Sequence, residues 1–384
     1  MDYIQILKDL ITIDTSVPPG LNYEKALDYL EPLFKQANCE TEKIHIPREH
    51  AGGNEGRVNL LAHCRCQGKP RLIFYCHVDV VPAQGWEAFV PRVESGKIYG
   101  RGAADMKGGI IALLLALENV KQKPLNYDIS AMITTDEEVG QADQIRYLGR
   151  FLQPFSGTYF FDLDSSFGHV VIASLGAIQL DIKVKGKSVH SGLAHLGENA
   201  VEKANLLINA LMNLKQKVII RKSKVDADRA SGLTKMEARL NINMIKGGLK
   251  VNIVPDECLI SIDRRLIPEE KIAEAEQELM QTLASVKGVQ WEIDKVFRIP
   301  TLPQLDDPIV DRLSAIVKQV TGKSGKFGEM GSGDFGPIAT LEWGAKHFGC
   351  GVIRPDCNIH GKEEFVYQKD IEDLALVISR FIAS

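Results

Sequence analysis

Along the first part of the chain, short apolar runs alternate with helical periodicities. Ile4, Leu7, Leu10 and Ile11 recur at helical spacing, and the stretch TSVPPG ends that helix with two prolines and a glycine. RLIFYCHVDVV and ISAMITT are almost continuously apolar, as strands covered on both faces are. Between them, GGIIALLLALENV is apolar around its whole circumference and predicts a buried helix. This alternation predicts an α/β unit built on a mainly parallel sheet.

Near residue 176 the pattern changes. AIQLDIKVKG alternates apolar and polar positions like a strand buried on one face, and Ala200, Ala204, Leu207, Leu211 and Leu214 mark an amphipathic helix. Two further strands follow, ARLNINMIKG and ECLISIDRRL, then the helix EEKIAEAEQELMQTLASV and a last strand, VQWEIDKV. The order βαββαβ predicts a two-layer, ferredoxin-like α+β module inserted into the larger unit. The expected boundaries are 1–175 and 297–384 for the larger unit and 176–296 for the insert. No Gly- or Ser-rich linker marks the seams, and the chain has no internal repeat.

Composition narrows the function classes. A chain of 384 residues that is 45% hydrophobic and 25% charged can bury a large core. Its formal charge of -4, with lysines and acids dispersed, offers no basic stripe for nucleic acid. No stretch reaches the ~20 apolar residues of a membrane span, and the N-terminal stretch lacks a small-residue cleavage site. A cytoplasmic location and no membrane partner are therefore expected. The seven cysteines are an odd count without matched C-x-x-C pairs, so reduced thiols are expected rather than a disulfide framework or a cysteine zinc site. Cys64, Cys66 and Cys76 read as core.

The chemistry concentrates where apolar runs stop. In open α/β sheets the crevice lies beyond the carboxyl ends of the strands, so His77 and Asp79, which end one run, would face it. Asp79 could hold the second ring nitrogen of His77 and fix its tautomer, as the partners of metal-binding histidines do. Asp105 lies in the glycine-rich loop GRGAADMKGG, either presented into the crevice or capping the helix that follows. AMITTDEEVG discharges Asp136, Glu137 and Glu138 into the same crevice, where like charges need a cation or a raised pKa. One glutamate could bind metal while its neighbour handles a proton. Asp162 and Asp164 share one face of the run TYFFDLDSS, and His360 lies in a loop near the chain end. Two histidines with several carboxylates suit zinc, manganese or cobalt, and a metal pair needs a bridging carboxylate, which Asp105 could supply.

The ordered motifs HVDVVP, YGRGAADMKGG, TTDEEVG, NIVPDE and HGKEEFV resemble those of the dizinc metallopeptidases and deacylases. That family includes acetylornithine deacetylase, succinyl-diaminopimelate desuccinylase, aminoacylases, tripeptidases and carnosine-type dipeptidases. The resemblance spans nearly the whole chain. It implies that His77 and Asp164 bind one metal, that Glu138 and His360 bind the other, and that Asp105 bridges. It makes Asp79 the orienting group and Glu137 the general base acting on a metal-bridged water. The implied cofactors are two divalent ions, zinc with cobalt or manganese as alternatives. The insert becomes a lid that forms a homodimer. Its histidines His190 and His195 become candidates to stabilise the oxyanion, His190 at the commoner position and His195 at the desuccinylase-like one.

For a substrate carboxylate, the resemblance points to Arg265 of IDRRLIP with Asn252 of VNIVP beside it, and leaves Arg264 as a surface charge. GSGDFG spells a dinucleotide fingerprint, yet no convincing strand precedes it. The glycines before Pro337 suggest instead an amide-rich substrate loop, with Gly331, Ser332 and Asp334 as candidates. His45, His50, His63, His169 and His347 lack acid partners at useful spacing and read as structural.

The expected activity is hydrolysis of the amide bond of a small peptide or N-acyl amino acid with a free carboxylate. Asp164-Ser165-Ser166 stands where deacylases usually carry Glu-Pro-Thr, which leans towards a peptidase. Chain length and the compact lid lean towards an acetylornithine- or succinyl-diaminopimelate-type deacylase. A binding protein on the same scaffold is the rival from another class, and the presence of every ligand and of Glu137 argues against it.

Overall fold

The strand Arg71–His77 is buried along all but its first residue, as its continuous apolar run requires. In this computed structural model, which describes residues 2–383 apart from 65, 67, 229 and 230, it runs parallel to Asp128–Thr134 on one side and Tyr159–Asp162 on the other. Lys346–Gly349 extends the parallel set beyond Tyr159–Asp162. Val58–Cys64 and Glu40–His45 close one edge antiparallel, and Val170–Ser174 and Lys326–Glu329 close the other.

The sheet has eight strands in all. Three of its parallel strands end at one edge, with His77 level with Thr134 and Tyr75 level with Asp162. The residues that follow each strand therefore emerge side by side.

The helix Gly108–Val120 is buried around most of its surface and packs against the N-terminal helix Tyr3–Thr12 and the C-terminal helix Gln368–Ile382. Its first two residues must be glycine for a contact reason. A Cβ on Gly108 would lie 2.6 Å from the Ala103 carbonyl oxygen, and one on Gly109 would lie 2.9 Å from Met106 Cε and 3.2 Å from the Leu163 carbonyl oxygen. The glycine pair thus lets the helix start press against the loop that carries Asp105 and the strand end that carries Asp164. Lys107, wholly buried, donates to the carbonyls of Leu10 and Ile13, each at 3.1 Å.

The chain divides into two compact units, one of residues up to 172, 305–327 and from 334 onward, the other of 173–304 and 328–333. The smaller unit holds a four-stranded antiparallel sheet in the order Arg239–Gly247, Glu257–Leu266, Gly176–Lys185, Gln290–Ile299. Helices Ala200–Val218 and Ile272–Ser285 pack against it. Along Gly176–Lys185 the apolar residues are buried and the polar ones open, as the alternation predicts.

Several expectations need correction. Cys39 and Cys64 form a disulfide. Pairing of Glu40 with His63 places the two cysteines opposite each other at the strand ends, with Cα atoms 4.4 Å apart. That proximity comes from strand register, which cysteine spacing does not encode. Cys66 is only partly buried. Arg264 is wholly buried rather than a surface charge, and pairs with Glu270. A short strand, Lys326–Glu329, does precede GSGDFG. The helix Gly108–Val120 takes Lys107 as its N-cap residue, not Asp105. Among the described residues, no helix is long and apolar enough to cross a membrane.

Candidate active site

His77 is the last residue of its strand and is fully buried. Its Nδ1 lies 3.1 Å from the Asp79 carbonyl oxygen and 3.5 Å from Asp79 Oδ1. Its Nε2 points the other way, 3.3 Å from Asp105 Oδ1 and 3.6 Å from Asp164 Oδ2, and makes no hydrogen bond. The Asp79 acceptors favour the tautomer with the proton on Nδ1, which leaves the Nε2 lone pair facing two carboxylates. A lone pair and two anionic groups turned toward one point call for a cation.

The second face of Asp105 repeats the arrangement. Its Oδ2 lies 3.0 Å from His360 Nε2, and the same nitrogen is 3.1 Å from Glu138 Oε2. Two groups result, His77, Asp105 and Asp164 in one and Asp105, Glu138 and His360 in the other, each with donor atoms within 4.8 Å of one another. Asp105 belongs to both. The donor set of imidazole and carboxylate fits zinc, cobalt or manganese.

Without a cation, the histidines must neutralise the acids. Burial works against a charged His77, but Asp105, Asp164 and Asp79 outweigh it and raise its pKa well above 6.5. His360 is raised to about 10 by its bonds to Asp105 and Glu138. Asp164 is pushed up to about 7 by burial and by the Asp105 charge. Burial also acts on Asp105, yet both histidines hold it below the usual carboxylate range. Glu137 stands well above that range because it is desolvated and faces Asp164, Glu138 and Asp105. A carboxylate so placed is a strong proton acceptor.

Supporting groups fix these side chains. Asp79 Oδ2 accepts the backbone N–H of Glu138 at 3.1 Å. Asp162 Oδ1 accepts the backbone N–H of Asp164 at 2.9 Å, and Asp162 Oδ2 lies 3.2 Å from His347 Nε2. His347 therefore has an acid partner, brought by the parallel pairing of Phe160 with His347 across neighbouring strands, 185 residues away in sequence. Asp136 does not join the crevice acids. It is 2% exposed, adopts a left-handed backbone, and accepts from Tyr23 Oη at 2.6 Å, Arg57 Nε at 2.7 Å and Gln144 Nε2 at 2.7 Å. That network anchors the turn presenting Glu137 and Glu138. Tyr23 and Arg57 lie far from Asp136 in sequence, so only the Asp-Glu-Glu run itself was a signal.

The remaining candidates fall into other groupings. In the smaller unit, His190 pairs with Ile253 across a two-residue ladder, and Ser191 N–H donates to the Asn252 carbonyl at 3.0 Å. His190 Nδ1 accepts from Gly192 N–H at 3.1 Å, and both His190 and His195 are exposed. Arg265 Nε donates to Asp263 Oδ1 at 2.8 Å and its Nη1 to Ser332 Oγ at 3.1 Å, so Arg265 and Ser332 meet within that unit. The Gly331 carbonyl accepts from Leu175 N–H at 3.0 Å. Asp334 belongs to the larger unit, where it accepts from Gln141 N–H at 3.0 Å and burial raises its carboxyl above the usual range.

A model of peptidase family M20/M25/M40 matches residues 73–384. A probable succinyl-diaminopimelate desuccinylase of Staphylococcus aureus is 29% identical over 293 residues, covering 69% of this chain and 68% of that protein. Among solved structures, aminopeptidase PepT from Bacillus cereus superposes with a TM-score of 0.77 at 20% identity, over 99% of this chain and 97% of that one. The metallo-carboxypeptidase Sso-CP2 of Sulfolobus solfataricus gives 0.78 at 16% identity, over 99% and 98%. These two likenesses carry the fold. The family match runs from the strand that ends in His77 through the last helix and takes in both ligand groups, and on that ground the chain belongs to peptidase family M20/M25/M40 and is a metallohydrolase of amide bonds.

Proposed function

We propose that the protein hydrolyses the amide bond of a small peptide or N-acyl amino acid bearing a free carboxylate, using two divalent ions, zinc in the first instance. The observation that carries this reading is the sharing of Asp105 between two ligand groups, one on each carboxylate oxygen. When bound, the ions polarise the scissile carbonyl and acidify the attacking water. His77 and Asp164 would hold one ion and Glu138 and His360 the other, with Asp105 common to both groups. Glu137 takes the proton from the water and returns it to the leaving nitrogen. Arg265, oriented by Asp263 and joined by Ser332, grips the substrate carboxylate, with Gly331 and Asp334 shaping that loop. Asn252 is not beside it, because it lies past the other end of the Glu257–Leu266 strand, where its carbonyl accepts from Ser191 next to His190. His190 or His195 donates to the oxyanion. The smaller unit serves as lid and homodimer surface, and the enzyme works in the cytoplasm.

A second reading, an N-acyl-amino-acid deacylase, is favoured by the desuccinylase relative. Asp164 followed by Ser165 and Ser166 favours the peptidase. Acetylornithine, succinyl-diaminopimelate, dipeptides and tripeptides, assayed side by side on zinc-loaded protein, separate the two. A hundredfold preference for an acylated amino acid selects the deacylase, and one for a peptide selects the peptidase. Hydrolysis of none, with metal bound, removes both.

A further inference from the structure

Glu364 is a wholly buried carboxylate that hydrogen-bonds no ligand side chain, yet it reaches the backbone of the shared ligand. Its Oε1 accepts the N–H groups of Ala104 at 3.1 Å and Asp105 at 3.2 Å. Its Oε2 accepts from Arg101 Nη1 at 2.6 Å. Arg101, 2% exposed, turns its Nη2 to the carbonyl oxygens of His360 at 3.2 Å and Gly361 at 3.1 Å. One buried ion pair thus holds the backbone of the bridging residue at one end and the backbone of a terminal ligand at the other. These segments are 263 residues apart at the ion pair itself.

The pair also meets a need of the second loop. His360 has φ 61, Asn358 φ 58 and Glu363 φ 59, left-handed conformations that non-glycine residues adopt only when their surroundings hold them. Arg101 grips the loop at the carbonyl of the left-handed His360. A guanidinium can hold two carbonyls and a carboxylate together because its donors sit in a rigid fork. Burial excludes the plainer role of Arg101 as a surface cation for substrate.

We infer that Arg101 and Glu364 are positioning residues that set the geometry of the Asp105–Glu138–His360 ion site in preference to the His77–Asp105–Asp164 site. The asymmetry follows from the contacts. Two of the three ligands in the first group, Asp105 and His360, hang from the pair through their backbone, whereas Asp105 alone does so in the second. Loosening the pair therefore spoils one site more than the other. The inference rests on the two-ion reading given above.

The test is zinc titration of metal-free wild type, Glu364→Gln and Arg101→Lys against a competing chelator, with thermal unfolding of each metal-free protein alongside. Wild type is expected to take two ions. In both variants one site should stay within about threefold of wild type, and the other should weaken roughly 10- to 100-fold, the range for lost support of a ligand. Excess zinc should restore hydrolysis in step with filling of the weakened site. Equal weakening of both sites, or unchanged affinities with a lowered unfolding temperature, overturns the inference. So does failure of both metal-free variants to fold, which would make the pair a folding element. A wild type that binds fewer than two ions instead removes the two-ion reading itself.

Discussion

Asp79 and Glu138 are joined by a hydrogen bond of 3.1 Å from the glutamate's backbone N–H to the aspartate's Oδ2. The other oxygen of Asp79 faces His77 Nδ1. One buried residue therefore orients a ligand of each ion site: His77 through its carbonyl, with the carboxylate charge behind it, and Glu138 through the carboxylate. Asp79→Asn keeps an oxygen for the Glu138 amide but can turn an N–H toward His77. The Asp79 carbonyl still accepts at Nδ1, but the carboxylate charge that reinforces this tautomer is lost. Zinc affinity and hydrolysis should each fall roughly 10- to 100-fold, the usual loss when a ligand's hydrogen-bonded partner is removed. Chelator competition and a steady-state assay on the same preparations check this, and unchanged zinc affinity would contradict the orienting role.

Metal binding should also be a proton-releasing event. Without a cation His360 titrates at about 10 and Asp164 at about 7, and ligation requires the neutral imidazole and the carboxylate. At pH 7 zinc should expel a proton from each of His77 and His360 and a fraction of one from Asp164, and apparent affinity should climb as pH rises to about 10. The sign for stability is opposite. A folded histidine pKa raised above the ordinary 6.5 gives stabilisation that is complete below 6.5 and lost as pH rises through about 10. The His360 contribution should thus decline across that window, so any advantage in unfolding temperature that it gives the metal-free wild type over His360→Ala should shrink as pH rises toward 10. Calorimetric titration in buffers of different ionisation enthalpy reads the proton count, and a count of zero would sink the argument.

What the chain disclosed in advance depended on range. The parallel sheet was legible because continuous apolar runs and a wholly apolar helix leave few other solutions. The positions of His77, Asp105, Glu138 and Asp164 were legible as chemistry because each lies at or just beyond a strand end or in the loop before a helix, at the edge where such folds gather polar groups. Arg57 with Asp136, Asp162 with His347, and Cys39 with Cys64 were not. Each pair depends on which strand or loop lies next to which, and no local period encodes that. Arg264 misled for a related reason. A strand arginine reads as solvent-facing unless its partner is known, and Glu270 lies in the turn beyond.

The Cys39–Cys64 bridge closes a loop of 25 residues between neighbouring strands. Cross-linking a loop of that size restricts the unfolded chain by an amount worth roughly 3–4 kcal/mol. The bridge sits on the sheet edge formed by Glu40–His45 and Val58–Cys64, away from the parallel strand ends that carry the ligands. Reduction, or Cys39→Ala with Cys64→Ala, should lower the unfolding temperature while kcat of the zinc-loaded enzyme stays within about twofold. Thiol counting before and after reduction verifies the bridge. Loss of activity in parallel with reduction would tie this edge to the site.

Glu137→Gln separates proton transfer from metal holding. Glu137 stands beside the ligand groups without belonging to either, so zinc content should stay as in wild type while kcat drops roughly 10²- to 10⁴-fold, the contribution of a positioned general base. The same substitution should raise the stability of the metal-free protein. Desolvation, reinforced by Asp164, Glu138 and Asp105 and opposed by His77, holds this carboxyl well above its ordinary 4.5. The unfavourable charged form is absent below 4.5 and grows as pH rises toward the raised folded value. A neutral amide never incurs it. The unfolding temperature of metal-free Glu137→Gln should therefore exceed that of metal-free wild type at pH 7, and the gap should close as the pH approaches 4.5. Bound cations offset the same charge, so the gap should also shrink on loading with zinc. Wild-type turnover by the variant would take Glu137 out of the proton path, and a gap that widened on acidification would show that its carboxyl is not held in the desolvated, acid-crowded setting described here.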